Sequence, residues 1–221
     1  MHPVFEHDRE HPTGCSFAEF QVRFTDICQE HRDHKRAMLF AFILHDMRHP
    51  YQSKVLHDKY YWAALDQISG NRLTVFSFIP HRRPPMRRAP KTTVIQFMTS
   101  IDLSPGDDPY TAFNETFNLH NVGPLPGMVF FQVHNSEVID SIFVPLIANG
   151  EEAAFNEIEQ VIKTVLQSIS GVLDENYKNS REIFNLAESA LNDDMLYGAI
   201  SRGLKGVMKV KDFLSLFSFA S

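Results

Sequence analysis

His45, Asp46 and His49 place two imidazoles and a carboxylate within five positions of one another, and His57 with Asp58 follow a short distance on. Imidazole nitrogen and carboxylate oxygen are ligands for Zn²⁺ or Fe²⁺, and the same groups exchange protons in acid–base catalysis. Metal-assisted hydrolysis is the enzymatic chemistry this set suits. Against it, the spacing fits no specific metal motif and Pro50 breaks a helical H-x-x-x-H face. With 11 histidines in 221 residues, clusters also arise by chance, so loop and capping roles stand beside the catalytic one. A sparser set, His2, His7, Asp8 and His11, lies in a stretch near the start that has no regular pattern.

Arg82, Arg83, Arg87, Arg88 and Lys91 form a second group with chemical potential. Guanidinium groups grip phosphates through two parallel hydrogen bonds, which suits nucleic acid. Pro84, Pro85 and Pro90 forbid regular structure in the same stretch, so a solvated loop that shields a sheet edge or touches an acidic surface fits equally. Of the charged side chains, 14 basic and 10 acidic ones fall in residues 1–91, against 7 basic and 17 acidic in residues 92–221. The net charge of −6 argues against general coating of nucleic acid. The opposite character of the halves permits head-to-tail association of copies.

Cys15 and Cys28 are the only cysteines, thirteen positions apart, which is neither a disulfide framework nor a zinc-ligand spacing. They point to a reducing compartment and a cytoplasmic protein. The stretch around Asp8, Arg9 and Glu10 has no apolar signal region, and the longest wholly apolar run, Ala37 to Leu44, is far shorter than the roughly 18 residues that span a bilayer.

The elements that must position these groups follow from periodicity. Ser16 and Glu19 make a capping box, and Phe17, Phe20, Phe24, Ile27, Cys28 and His31 recur at helical spacing, which predicts a helix over 16–33 with Cys15 packed at its start. Ala37 to Leu44 does not alternate and reads as a strand covered on both faces. A helix follows from an N-cap at Ser53 to Gly70, with His57 on its apolar stripe; then come a strand over 72–79, a further strand or its continuation over 92–99 and a helix over 107–120. After Gly123-Pro-Leu-Pro-Gly127 a strand from Met128 to Val133 turns through His134-Asn-Ser136 into its partner, Glu137 to Val144. Glu151 to Ser170 is the clearest helix, with Ala154, Ile158, Val161, Ile162, Val165 and Ile169 on one face.

The order of helix, buried strand, helix, strand, helix, proline-turned strand, hairpin strand and long helix resembles the thioredoxin-like fold over residues 16–170. Leu125-Pro126-Gly127-Met128-Val129-Phe130-Phe131 is similar to that family's proline turn, with Pro126 as the candidate cis-proline. The resemblance implies an α/β fold with a central mixed sheet flanked by helices. It also implies a C-x-x-C motif after the first central strand, where this chain has His45-Asp46-Met47-Arg48-His49-Pro50. Thiol–disulfide exchange needs a thiolate there, so the family's best-known activity has no nucleophile. Cys15, near a helix start, is the one alternative thiol.

The organisation expected is an irregular segment over 1–15, a thioredoxin-like domain over 16–171 and a helical extension over 172–221. The extension has helices over 180–191 and about 193–217, the second carrying Leu196, Ile200, Leu204, Val207, Leu214 and Phe217 on one stripe with Lys205, Lys209 and Lys211 beside it. Gly198, Gly203 and Gly206 lower its intrinsic helicity, so it requires a surface to pack on: its own domain, a second copy, a partner protein or an anionic membrane. The resulting expectation is a redox-inactive interaction or assembly subunit without a cofactor, binding a partner protein or its own copy through these helices. A metal-assisted hydrolase and a nucleic-acid binder are the alternatives.

Overall fold

The computed structural model describes residues 2–3, 17–45, 49–69, 73–77, 113–116, 126–172, 180–193, 200–203 and 207–216. Its strands are β1 (His2–Pro3), β2 (Leu39–Leu44), β3 (Thr74–Ser77), β4 (Gly127–His134), β5 (Glu137–Pro145), β6 (Ser201–Arg202) and β7 (Met208–Lys209). Its helices are α1 (Phe17–Asp33), α2 (Pro50–His57), α3 (Lys59–Ser69), α4 (Glu151–Ile169), α5 (Ser180–Asp193) and α6 (Val210–Ser215), with a helical turn at 113–116.

All strands join one sheet in the order β1-β3-β2-β4-β5-β6, with β7 also on β5. β2 runs parallel to β3, which runs parallel to β1, while β4, β5, β6 and β7 pair antiparallel to their neighbours. The protein is therefore a mixed α/β structure with a mostly antiparallel sheet flanked by helices. The unalternating run of β2 is explained by its place: it lies between β3 and β4 and all six residues are buried.

Side chains alternate across the sheet, so each strand feeds two different cores. On one face Phe40, Phe42, Phe76, Phe131 and Phe143 meet Phe20, Phe24 and Cys28 of α1 and Phe213 and Leu214 of α6. On the other, Ala41, Ile43, Val75, Met128, Phe130, Ile142 and Val144 meet α2 to α5, including Val55, Leu65, Ile158, Val161, Ile162, Val165, Ile183 and Phe184. The segment after Gly171 thus contributes to both cores.

The hairpin between β4 and β5 turns on Asn135 and Ser136, both with positive φ (48° and 65°), the conformation whose twist matches antiparallel strands. At the other end of the hairpin Gly127 lies under the Phe143 ring, and a Cβ at that position would fall 2.2 Å from a buried ring carbon. Phe143 leaves no room for any other residue there.

Two expectations are corrected. The helix expected from Ser53 begins at Pro50, which occupies its first turn where a missing N–H costs nothing, and it stops at Asp58. Asp58 has extended backbone, and its Oδ1 accepts from the N–H groups of Tyr60 (2.8 Å) and Tyr61 (3.3 Å), so it caps α3 instead. The break takes His57 off the apolar stripe and leaves it exposed. The second correction concerns 193–217, where one continuous helix does not form. Ser201–Arg202 and Met208–Lys209 are strands on β5, and among the described residues after Asp193 only Val210–Ser215 is helical. The outer edge of β5 offers backbone hydrogen bonds that the glycine-weakened helix gives up. The strand and helix expected over 92–99 and 107–120 lie outside the described residues, apart from the turn at 113–116.

Candidate functional site

The carboxyl end of β2 sets the candidate site. Ile43 faces the aliphatic core, and His45, two residues on, follows on the same side and is fully buried. Its ring lies edge-on to that of His57 with 6.3 Å between centroids. His57 Nδ1 donates to the carbonyl of Ser53 at 2.6 Å, one turn back in α2, which fixes the hydrogen on Nδ1 and leaves Nε2 as the remaining acceptor. His49 is half-buried just before α2, at the N-cap position, but does not cap the helix with its side chain. Asp46 lies outside the described residues. Among those described, no group of three His, Cys, Asp or Glu side chains is placed to hold a metal ion. The structure therefore brings His45 and His57 together, which the sequence had separated into a loop and a helix.

Around this point the ends of three strands converge. Leu44, Gly127 and Pro145 are in register across β2, β4 and β5. Pro126, half-buried, accepts a hydrogen bond on its carbonyl from the Leu146 N–H at 3.0 Å, joining the turn into β4 to the exit from β5. The loop after β5 is fastened from two helices. Glu157 of α4 accepts the N–H groups of Ile147 (2.9 Å) and Ala148 (3.0 Å), and Gln52 of α2 donates to the Ala148 carbonyl at 3.2 Å. Lys54 and Glu151 add an ion pair between the same two helices. Burial pushes the Glu157 carboxyl above its ordinary range, against the two N–H donors, which act to lower it. The fastening holds Ile147 outward with 68% of its surface exposed, beside the α2 start, where Tyr51 is 41% exposed.

Sequence reasoning missed Glu157, Gln52 and Ile147. No motif marks a glutamate whose partners are backbone groups ten residues earlier. Ser77 was also missed: paired with Ile43 at the end of β3, it is fully buried and its hydroxyl has no hydrogen-bond partner among the described residues.

Two groups with chemical potential are structural. Cys28 is buried on the phenylalanine face, and burial pushes its thiol up to about 12 although Arg32 acts in the opposite direction. At neutral pH it is a thiol and not a nucleophile. His31 is buried with Nδ1 2.7 Å from the Ala37 carbonyl and Nε2 2.7 Å from the Thr74 hydroxyl, its ring 4.8 Å from that of Phe40. A carbonyl only accepts, so Nδ1 donates, and in the neutral ring Nε2 accepts from Thr74. His31 ties α1 to β2 and β3.

Of the other predicted residues, Ile200 is half-buried and packs on the aliphatic core, Leu214 is buried on the phenylalanine face, and Val207 is 57% exposed. Leu196, Leu204, Phe217, Cys15 and the basic group Arg82, Arg83, Arg87, Arg88 and Lys91 lie outside the described residues. Among the described residues no helix is long and apolar enough to cross a membrane. No family model, curated protein or solved structure matches the chain.

Proposed function

We propose that the chain is a thioredoxin-like subunit that has no dithiol chemistry and acts by binding, as an interaction or assembly component in a reducing compartment. The thioredoxin-like reading is supported by the path of the chain: a parallel β2–β3 pair linked through α2 and α3, then an antiparallel hairpin β4–β5 entered through Pro126, then α4. The observation that carries the functional reading is the chemistry at the end of β2. Where the family places its thiol this chain has a buried imidazole, and the one cysteine among the described residues is sealed in the core with its thiol pushed up to about 12. What the same sheet end does offer is contact surface: Tyr51 and Ile147, sequence neighbours of the hydrogen-bonded Gln52 and Ala148, are exposed, and Glu157 holds the backbone at Ile147 and Ala148. Exposed aromatic and aliphatic anchors on a fixed backbone bind at low entropic cost.

Insulin disulfide reduction is the direct test. No turnover is expected from the purified protein, and replacement of both cysteines by serine leaves the partners recovered from the native host unchanged. Thiol-dependent reduction that disappears with Cys15→Ser overturns the reading. Tyr51→Ser combined with Ile147→Ser is expected to lose the partner while the fold is retained.

A further inference from the structure

The outer edge of β5 shows what it recognises through its own occupant. Residues 200–203 and 207–216 lie along it as a strap. Ser201 and Arg202 pair with Phe143 and Ile142, Met208 and Lys209 pair with Val138 and Glu137, and between and beyond these ladders Gly203 N–H donates to the Ser141 carbonyl (2.8 Å) and Val210 N–H to that of Ser136 (3.1 Å). Charge follows the ladder. Lys209 stands directly opposite Glu137, and the Arg202 guanidinium bridges Asp140 of β5 (3.3 Å) and Glu188 of α5 (3.4 Å). Arg181 approaches the second Asp140 oxygen at 3.9 Å. The strap ends in α6, six residues that lay Phe213 against Phe131 with 4.9 Å between ring centroids and bury Leu214 beside it. A helix this short has no stability of its own, so the strap is ordered by its seat.

The seat thus fits two short strand segments, each carrying a cation, followed by a short helix that inserts an aromatic ring. A second copy of this chain carries these elements in its own residues 200–216. Exchange of an identical element regenerates every contact of the closed form, so it has little net energetic cost and is governed by concentration. We propose that the edge of β5 accepts residues 200–216 of a second copy, and that the chain assembles by exchanging these straps. This self-association uses a different surface from that of Tyr51 and Ile147 and rests on the binding role proposed above only for its use in the cell; the insulin assay tests that role separately.

Charge reversal tests the exchange in the full chain. An edge variant with Glu137→Lys and Asp140→Lys is mismatched with its own strap, and so is a strap variant with Arg202→Glu and Lys209→Glu. Mixed, they match at both seats in trans only. The sedimenting mass of the mixture is expected to double at a concentration where each variant alone is monomeric, and a chain carrying all four substitutions is expected to lose the effect. A variant that unfolds alone and regains its circular dichroism on mixing is the same result. Folded variants that stay monomeric when mixed overturn the proposal. So do variants that stay unfolded together while the fourfold chain folds. A milder pair decides the case if charge reversal abolishes folding throughout: chains with Val138→Cys or Met208→Cys, both in a Cys15→Ser background, are expected to form a disulfide-linked heterodimer on mixing and oxidation, and its absence overturns the proposal.

Discussion

The two faces of the sheet solve the problem of burial differently. One is aromatic: Phe42 lies 5.2 Å from Phe131 and 5.3 Å from Phe76, ring to ring, in a cluster that α1 and α6 close. The other is aliphatic and lies under four helices, α2 to α5. The two faces also hold different polar groups. The aromatic face holds the sealed thiol of Cys28 and the doubly bonded imidazole of His31, groups whose chemistry is used up in holding the fold. The aliphatic face carries His45 at its end and, through α2 and α4, the fastening of the loop in which Ile147 is exposed. Aromatic rings fill large volumes with few rotatable bonds and couple through their faces and edges, which suits a closed core. A layer of separate helices has ends and loops, where side chains can meet a partner.

The largest effect expected is on the aromatic face. Phe42→Ala is expected to cost about 3–5 kcal/mol, read as a shift of the urea midpoint. A double-mutant cycle sharpens the comparison. Phe42 and Phe131 are expected to couple by about 0.5–1.5 kcal/mol beyond the area they bury. Ile43 and Met128, register partners on the aliphatic face, are expected to couple less. Equal coupling on the two faces removes the distinction drawn here.

His31→Ala comes next. It strands the Ala37 carbonyl and the Thr74 hydroxyl inside the fold, at about 1–3 kcal/mol for the unmet polar groups alone. Hydrogen exchange at the β2–β3 pair is expected to speed up before that at β4–β5, because the tie runs from α1 to β2 and β3. A uniform acceleration across the sheet contradicts that role.

The smallest effect belongs to Glu157 and is a matter of pH. Its folded carboxyl titrates above its unfolded value, so its contribution is fully present below the ordinary glutamate pKa of about 4.3 and is lost as pH rises through the raised folded value. Urea midpoints of the wild type are therefore expected to fall relative to those of Glu157→Gln as pH rises through that window. A difference that moves in favour of the wild type means that the N–H bonds from Ile147 and Ala148 outweigh the burial of the carboxylate.

Much of this was determined by the sequence alone. β2 was legible because an apolar run without alternation has to be buried on both faces. The hairpin was legible in the short polar link at Asn135 and Ser136, and α4 in its stripe from Ala154 to Ile169, because both signals are local. That no cysteine follows β2 in residues 45–50 is likewise read from residue types in order. Asp58 was legible in principle as a cap, since its competition with the helix is also local, but the periodicity on either side of it masked the break and with it the exposure of His57.

Only the tertiary structure decided the rest. The stripe of Ile200, Val207 and Leu214 has helical spacing, yet most of it lies in or beside strands, because the unpaired edge of β5 supplies backbone partners from more than fifty residues away. The meeting of His45 with His57 and the hold of Glu157 on Ile147 and Ala148 depend in the same way on how separate elements stack. Local patterns fix which backbone conformations are favoured; the partners that satisfy a strand edge, an orphan N–H or a buried ring come from distant segments, and no local pattern specifies them.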